Sequence, residues 1–367
     1  MFFSLSSQSN QKGVFMNGIE EKGKKNLVGM TLSELQGVVS YLGMPGYTAR
    51  QLAEWLYVKQ VDSFDLMTNI SLKFREALDE KYTIELSPPV KTALSVDGAS
   101  KYLFKVSDNG FVESVYIPEE DRATLCVSCQ VGCKMGCSFC MTGKQGFESS
   151  LSAGQILNQI LSLPEKDREK LTNVVFMGMG EPLDNLSQTL KVAEILTAPY
   201  AFAWSPKRVT ISTVGLRREL KQLLEETKCH IAISLHAANP EKRAKIIPAE
   251  KAFSIIEMIE ILKRQDFSHQ RRLSFEYILF EEFNDGLEDM KELVKLLNGL
   301  TCRVNLIRFH AIPGVDLKPV SDAKMLEFRN YMTQHGVFTT IRASRGEDVM
   351  AACGMLSTAE KSDILIV

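Results

Sequence analysis

Several things are missing from this chain, and each absence narrows its class. No apolar run approaches the eighteen or more residues that a bilayer crossing needs, so no membrane partner is expected. The start, MFFSLSSQSNQKG, has too short an apolar part and no basic leader. That argues against a secretory signal and for a cytoplasmic protein. An excess of one charge is also missing: 43 Lys and Arg face 45 Asp and Glu, for a net charge of −2. The global footprint of a nucleic-acid-binding domain is therefore lacking. Basic pairs do occur at Lys207-Arg208, Arg217-Arg218, Lys242-Arg243, Lys263-Arg264 and Arg271-Arg272. Taken singly, each reads as a solvated helix end. Gly178-Met179-Gly180-Glu181 lacks the third glycine of a dinucleotide fingerprint, and no phosphate-binding helix start follows it.

What is present is a concentration of cysteine. The stretch CVSCQVGCKMGCSFCMTGKQG, residues 126–146, holds five of the eight cysteines. Without a signal peptide, such clustering points to a reducing compartment and to metal or redox chemistry rather than a disulfide scaffold. Cys133, Cys137 and Cys140 have the spacing C-x3-C-x2-C. Three thiolates in so short a loop can hold three corners of a cubic iron–sulfur cluster. The fourth iron then lacks a ligand on the loop, so a small molecule is expected to complete the site. The alternatives are buried free thiols or a structural zinc site, for which Cys126 and Cys129 would be the nearest spare ligands in a crowded spacing.

Residues 30–82 read as a small helical domain. Thr31-Leu32-Ser33-Glu34 fits a capping box, Thr48-Ala49-Arg50-Gln51 fits a second cap, and a third helix is expected over 72–81. Alternating runs over 100–118 flank Asn109-Gly110, a hairpin signal, with Glu113 on the second strand. From residue 124 on, strand-like and helix-like segments alternate. The strands are expected at 124–128, 173–177, 208–213, 230–235, 273–280, 304–309 and 337–343. This predicts a parallel sheet covered by helices. About six βα units are too few for a closed eight-stranded barrel, so an α/β fold with an open, partial (β/α)6 barrel is expected. In such barrels chemistry sits at the C-terminal strand ends. The cysteine loop falls there, as do the GMGEP run at 178–182, Ser212-Thr213, Ser234-Leu235-His236 and His310. The domain plan is a tail over 1–28, a helical domain over 29–95, a hairpin linker over 96–118, a barrel core over 119–347, and a C-terminal segment over 348–367 that carries Cys353. Met16 and Met30 are alternative starts.

The C-x3-C-x2-C loop resembles the signature of radical S-adenosylmethionine (SAM) enzymes, in which the open iron binds SAM. GMGEP resembles their GGEP-like loop. The wider set CVSCQVGCKMGCSFCMTG, GMGEPLDN, STVGL, SLHA, VNLIRFH and AACGML resembles the dual-specificity family that methylates C2 of adenosine in 23S rRNA and tRNA. The likeness extends over roughly residues 30–358. It implies a radical SAM barrel fold and methylation of adenosine 2503 in 23S rRNA and adenosine 37 in tRNAs. It also implies one 4Fe–4S cluster on Cys133, Cys137 and Cys140, and two SAM molecules per turnover. SAM contacts would come from Gly180, Glu181, Ser212, Ser234, Leu235, His236 and His310. The implied partners are 23S rRNA, tRNA and an electron donor such as flavodoxin or ferredoxin, acting on a monomer.

C2 of adenine is electron-poor and will not attack a SAM methyl directly. The resemblance implies that a first SAM methylates the Cys353 thiolate. A 5′-deoxyadenosyl radical from a second SAM then takes a hydrogen from that methyl, and the carbon radical adds to C2. Cys126 finally attacks the sulfur of residue 353, releasing the product and leaving a transient disulfide. Glu113 matches the proposed proton acceptor. Cys126 and Cys353 are 227 positions apart, yet their Cα atoms must approach within about 7 Å in at least one state.

Two residues depart from the family pattern. Cys129 stands where serine is usual, which leaves the resolving role between Cys126 and Cys129; position favours Cys126. His310 stands where asparagine is common, and its protonation would add pH dependence. Cys229 and Cys302 read as buried thiols. Three rival functions are open: C8 methylation of the same rRNA adenosine, against which Pro182 and the longer N-terminal region speak; a non-catalytic, metal-stabilised RNA-binding protein; and a radical SAM enzyme acting on a small molecule.

Overall fold

The computed structural model describes residues 23–267 and 272–358. Of the tail expected over 1–28, residues 1–22 lie outside the described residues, as do Arg271 and the end of the C-terminal segment, 359–367. Residues 25–28 correct the rest of that expectation. Lys25–Asn26 pairs in parallel with Tyr82–Thr83, and Leu27 and Val28 are buried. Two apolar residues in succession gain more from burial than a solvated tail would.

Helices at Leu32–Tyr41, Thr48–Ala53 and Leu72–Lys81 make the N-terminal domain. The expected capping box forms: Thr31 Oγ1 accepts from the Glu34 amide, and the Glu34 carboxylate accepts from the Thr31 amide. The second cap does not form. Thr48 is already helical behind Tyr47, and the helix runs on into a π-helical turn at Glu54–Val58. The Lys191–Glu34 ion pair at 2.6 Å ties this domain to a barrel helix.

The main sheet has ten strands: β1 (Lys91–Leu94), β2 (Ser100–Lys105), β3 (Phe111–Pro118), β4 (Ala123–Cys126), β5 (Asn173–Phe176), β6 (Val209–Thr213), β7 (His230–Ser234), β8 (Leu273–Leu279), β9 (Arg303–Arg308) and β10 (Thr339–Ile341). Strands β4 to β10 pair in parallel in chain order, with helices between them. This is the partial barrel expected from the alternation. The hairpin is no separate linker, because β3 pairs antiparallel with β4. Strands β1 to β3 therefore extend the barrel sheet. Its Asn109-Gly110 turn is looser than a two-residue hairpin. The link covers residues 106–110 and closes through the Val106 amide on the Gly110 carbonyl and the Gly110 amide on Ser107 Oγ.

One buried ion pair fixes the rim above β6 and β7. Arg243 and Glu250 are 0% and 3% exposed and bond directly. Arg243 also donates to the carbonyls of Val214, Ser234 and Leu235, which follow or end those strands. A buried guanidinium is tolerable only with such full pairing. Removing it by Arg243→Ala leaves Glu250 buried and uncompensated, so a loss of about 3–5 kcal/mol is expected. Urea unfolding would measure it, and a loss under about 1 kcal/mol would contradict this account of the rim.

Candidate active site at the barrel rim

The cysteine loop is pinched at its base. Gln130–Gly132 pairs antiparallel with Phe147–Ser150, and the Cys133 amide donates to the Gly146 carbonyl at 3.0 Å. Gly132 has φ +71, and a Cβ there would lie 1.6 Å from the Gly146 carbonyl oxygen. Only glycine permits that approach. Sequence periodicity had no way to show these short paired segments, since three or four residues carry too little pattern.

The run around Cys129 is held in place by hydrogen bonds on both sides of it. Ser128 Oγ donates to the Glu113 carbonyl and accepts from the Met179 amide, while Gln130 Oε1 accepts from the Glu181 amide. These bonds zip the GMGEP loop to the chain just before the cysteine loop. Gly180, at φ +102, packs against Gln130, where a Cβ would come within 2.6 Å of the Gln130 Cβ. Cys129 sits inside this zipper. Its carbonyl accepts from Leu151 and Asn185, and its side chain is buried.

Two neighbouring cavities open at the strand ends. One, of about 140 Å³, is lined by Cys133, Cys137 and Cys140, and also by Gly180, Glu181, Ser212, Ser234 and His236. The other, of about 90 Å³, is lined by Cys126, Cys140 and His310. Cys353 and Arg342 line both. Cys129 lines neither, and Leu235 does not border the first; its buried backbone is used by Glu276 and Arg243 instead. All eight cysteines are free thiols. Burial, and then repulsion from Cys353, pushes the Cys126 thiol up to about 12, while Arg342 opposes the shift. Burial also raises Cys133, Cys137 and Cys140; repulsion from Cys140 adds to it at Cys133 and Cys137, and repulsion from Cys353 at Cys140.

Glu181 is 3% exposed, and both its oxygens are engaged: one accepts from the Leu183 amide and the other from the Val214 amide, each at 3.0 Å. Burial lifts its carboxyl to about 6 against those bonds. The carboxylate thus braces two loops across the rim, and any ligand ammonium would have to share it. His236 has φ +55, and its Nδ1 accepts from the Ile278 amide at 3.0 Å. In the neutral ring the proton is therefore on Nε2, a donor. Burial, aided by Arg243, holds His236 down to about 3.

The C-terminal segment reaches this rim by specific bonds. The Met141 amide donates to the Gly354 carbonyl at 2.8 Å, and Thr142 Oγ1 donates to the Leu356 carbonyl at 2.7 Å. Glu113 is buried rather than solvent-facing. It pairs with Lys101 at 2.9 Å and accepts from the Ser357 amide at 3.1 Å. Burial raises its carboxyl despite the lysine. It borders neither cavity and holds the segment beyond Cys353. Sequence reading missed Arg342 and Glu276. Glu276 lies in the wholly buried β8, where Ser274 is its one aliphatic polar companion, a signal that was available, and one of its oxygens lacks a partner among the described residues.

Two family profiles match the chain: the radical SAM superfamily over residues 127–297, and the ribosomal RNA large subunit methyltransferase N-terminal domain over 25–84. A probable dual-specificity RNA methyltransferase RlmN of Bacteroides fragilis is 64% identical over 340 residues, covering 93% of this chain and 98% of the relative. The dual-specificity RNA methyltransferase RlmN of Campylobacter curvus is 41% identical, covering 90% and 93%. The crystal structure of a radical SAM methyltransferase from Sphaerobacter thermophilus superposes with a TM-score of 0.84 at 36% identity, covering 92% of this chain and 100% of that one.

His236 predicts a pH response. Its folded-state value, about 3, lies below the ordinary 6.5. The unfolded chain takes up a proton that the folded chain refuses, so stability present above pH 6.5 is lost as pH falls toward 3. His236→Gln should lose less stability than the wild type over that range in thermal unfolding at stepped pH. Equal losses would contradict the buried, neutral ring.

Proposed function

The chain belongs to the dual-specificity RNA methyltransferase RlmN family of radical SAM enzymes, and from that premise we propose that it methylates C2 of adenosine 2503 in 23S rRNA and adenosine 37 in tRNAs. It is a SAM-dependent RNA methyltransferase acting on rRNA and tRNA. One observation carries the finer reading: Cys353 lines both the cavity of Cys126 and the cavity of Cys133, Cys137 and Cys140. A thiol that must accept a carbon in one place and surrender it in another needs such a position.

The residues fit a cluster. Three thiols of one pinched loop surround one cavity beside the GMGEP strand end, where thiolate ligands would find iron. Among the described residues, no three acidic, histidine or cysteine side chains converge as they would on a single metal ion. Cys133, Cys137 and Cys140 would hold a 4Fe–4S cluster, and that cluster would supply the electron for reductive cleavage of SAM to a 5′-deoxyadenosyl radical. Gly180, Ser212, Ser234 and the Nε2 proton of His236 line the space for SAM, and Glu181 fixes the loops around it.

In this reading Cys353 accepts a methyl group as a thiolate and gives its proton to solvent. One hydrogen atom of that methyl would pass to the 5′-deoxyadenosyl radical, and the methylene would bond to C2 of an unstacked adenine, since chemistry on a base requires its extraction. The adduct would then give one electron to a flavodoxin- or ferredoxin-class carrier and its C2 proton to Glu113. The Cys126 thiolate attacks the Cys353 sulfur, an S–S bond forms, and the C–S bond breaks with its electron pair passing to the methylene carbon on the RNA base, which takes up a proton to become the methyl group. Arg342, which lines the cavity of both thiols, opposes the upward shift of the Cys126 thiol. The placement of Cys129 outside both cavities supports Cys126 as the resolving thiol. Glu113 remains the proposed proton acceptor, reached when Ser357 releases it. The setting proposed is a cytoplasmic monomer served by a flavodoxin- or ferredoxin-class donor. Among the described residues no helix is long and apolar enough to cross a membrane.

Mass spectrometry of nucleosides from 23S rRNA and tRNA, each incubated with the reconstituted protein, tests the reading. The expected product is 2-methyladenosine in both pools, with Cys353→Ala abolishing it. Exclusive 8-methyladenosine, or full methylation by Cys353→Ala, would overturn it.

A further inference from the structure

His310 follows β9, at the position that family resemblance gives to a SAM contact. Its ring borders the Cys126–Cys353 cavity and not the cavity of the cysteine loop. Both ring nitrogens are already used. Nε2 lies 2.8 Å from Ser344 Oγ, and Nδ1 lies 3.1 Å from a Glu347 carboxylate oxygen. A neutral ring with its proton on Nδ1 satisfies both contacts: it donates to Glu347 and accepts from the Ser344 hydroxyl. The His310 side chain is 4% exposed, whereas that of Glu347 is 65% exposed. A fixed imidazole on the barrel rim thus grips a surface carboxylate of the segment that leads to Cys353.

That segment has a second anchor on the β1–β2 turn. The Gly346 amide donates to Asp97 Oδ2 at 2.8 Å, and the Asp348 carboxylate accepts from the Val96 amide at 3.0 Å and from Ser95 Oγ at 2.5 Å. Val96 is 95% exposed, so this anchor stands on a protruding turn. Past Cys353, the Gly354 and Leu356 carbonyls are held by Met141 and Thr142. Cys353 therefore lies between a fixed exit and an entry that continues from β10, is anchored to the β1–β2 turn, and is gripped at Glu347 by His310.

We propose that His310 is a positioning residue that clamps residues 344–347 and thereby sets where the Cys353 thiol stands between its two cavities. The inference rests on the reading of Cys353 as the methyl carrier, because such a carrier must be held within reach of both reaction partners. An asparagine at residue 310 has a shorter side chain and could not span Ser344 and Glu347 as the ring does.

The test uses the full-length, cluster-loaded protein under anaerobic conditions. N-ethylmaleimide labelling is followed by peptide mass spectrometry, which gives separate rates for Cys353 and Cys126. His310→Ala and Glu347→Ala should each raise the Cys353 rate about five-fold or more, the effect of losing one such hydrogen bond. The Cys126 rate should not change. Glu347→Gln keeps an acceptor for the Nδ1 proton and should remain near the wild type. Because Glu347 is exposed, its variants should fold normally if His310→Ala does not. Unchanged Cys353 labelling in Glu347→Ala, equal labelling of Glu347→Gln and Glu347→Ala, or a parallel rise at Cys126 would each overturn the clamp. Labelling requires neither RNA nor methyl transfer. A failed clamp is therefore distinguishable from a failed methyl-carrier assignment, which Cys353→Ala reports on its own.

Discussion

The arrangement depends on a short polar seam between the helix that follows the cysteine loop and the far end of the chain. Thr142 and Leu356 are 214 positions apart, yet the threonine hydroxyl meets the leucine carbonyl at 2.7 Å, and the Met141 amide meets the Gly354 carbonyl beside it. Two hydrogen bonds contribute little net stability, roughly 1 kcal/mol each. Their importance is geometric. They put Cys353 at the wall shared by two cavities, and they tie its place to the loop that carries Cys133, Cys137 and Cys140. Without this seam the barrel would still hold three clustered thiols, but Cys353 would not be fixed at the wall between the two cavities.

The rim is assembled from buried polar groups, several of them paired with backbone. Arg243 holds three carbonyls, Glu181 holds two amides, and Ser128 and Gln130 bind the GMGEP loop to the strand before it. Burying such groups costs several kcal/mol unless they are paired. Pairing them with main chain turns that cost into positional order. Burial perturbs Glu181, His236 and the loop cysteines here, as is common at functional sites.

Much of this was legible in the chain because it is local. Alternation placed the seven parallel strands, the spacing of Thr31 and Glu34 placed a capping box, and the cysteine spacing marked the loop. What was hidden depends on distant partners. The burial of Glu113 is made tolerable by Lys101 across the hairpin and by Ser357, which is 244 positions away. Residues 25–28 looked like tail because their partners at 82–83 lie beyond a helical domain. Asn109-Gly110 suggested a tight turn, whereas the Ser107 side chain closes a wider one. Family resemblance implied a ligand contact for His310; its ring nitrogens meet Ser344 and Glu347, whose approach no local pattern encodes.

The central claim is that folding brings the thiol of residue 353 beside that of residue 126. Mild oxidation of the full-length protein, followed by non-reducing peptide mapping, measures this directly. A bridge requires Cα atoms within about 7 Å. The account predicts a Cys126–Cys353 disulfide as the main cross-link involving Cys353. A main cross-link from Cys353 to Cys129, or failure of Cys353 to couple with Cys126 while other thiols oxidise, would contradict it.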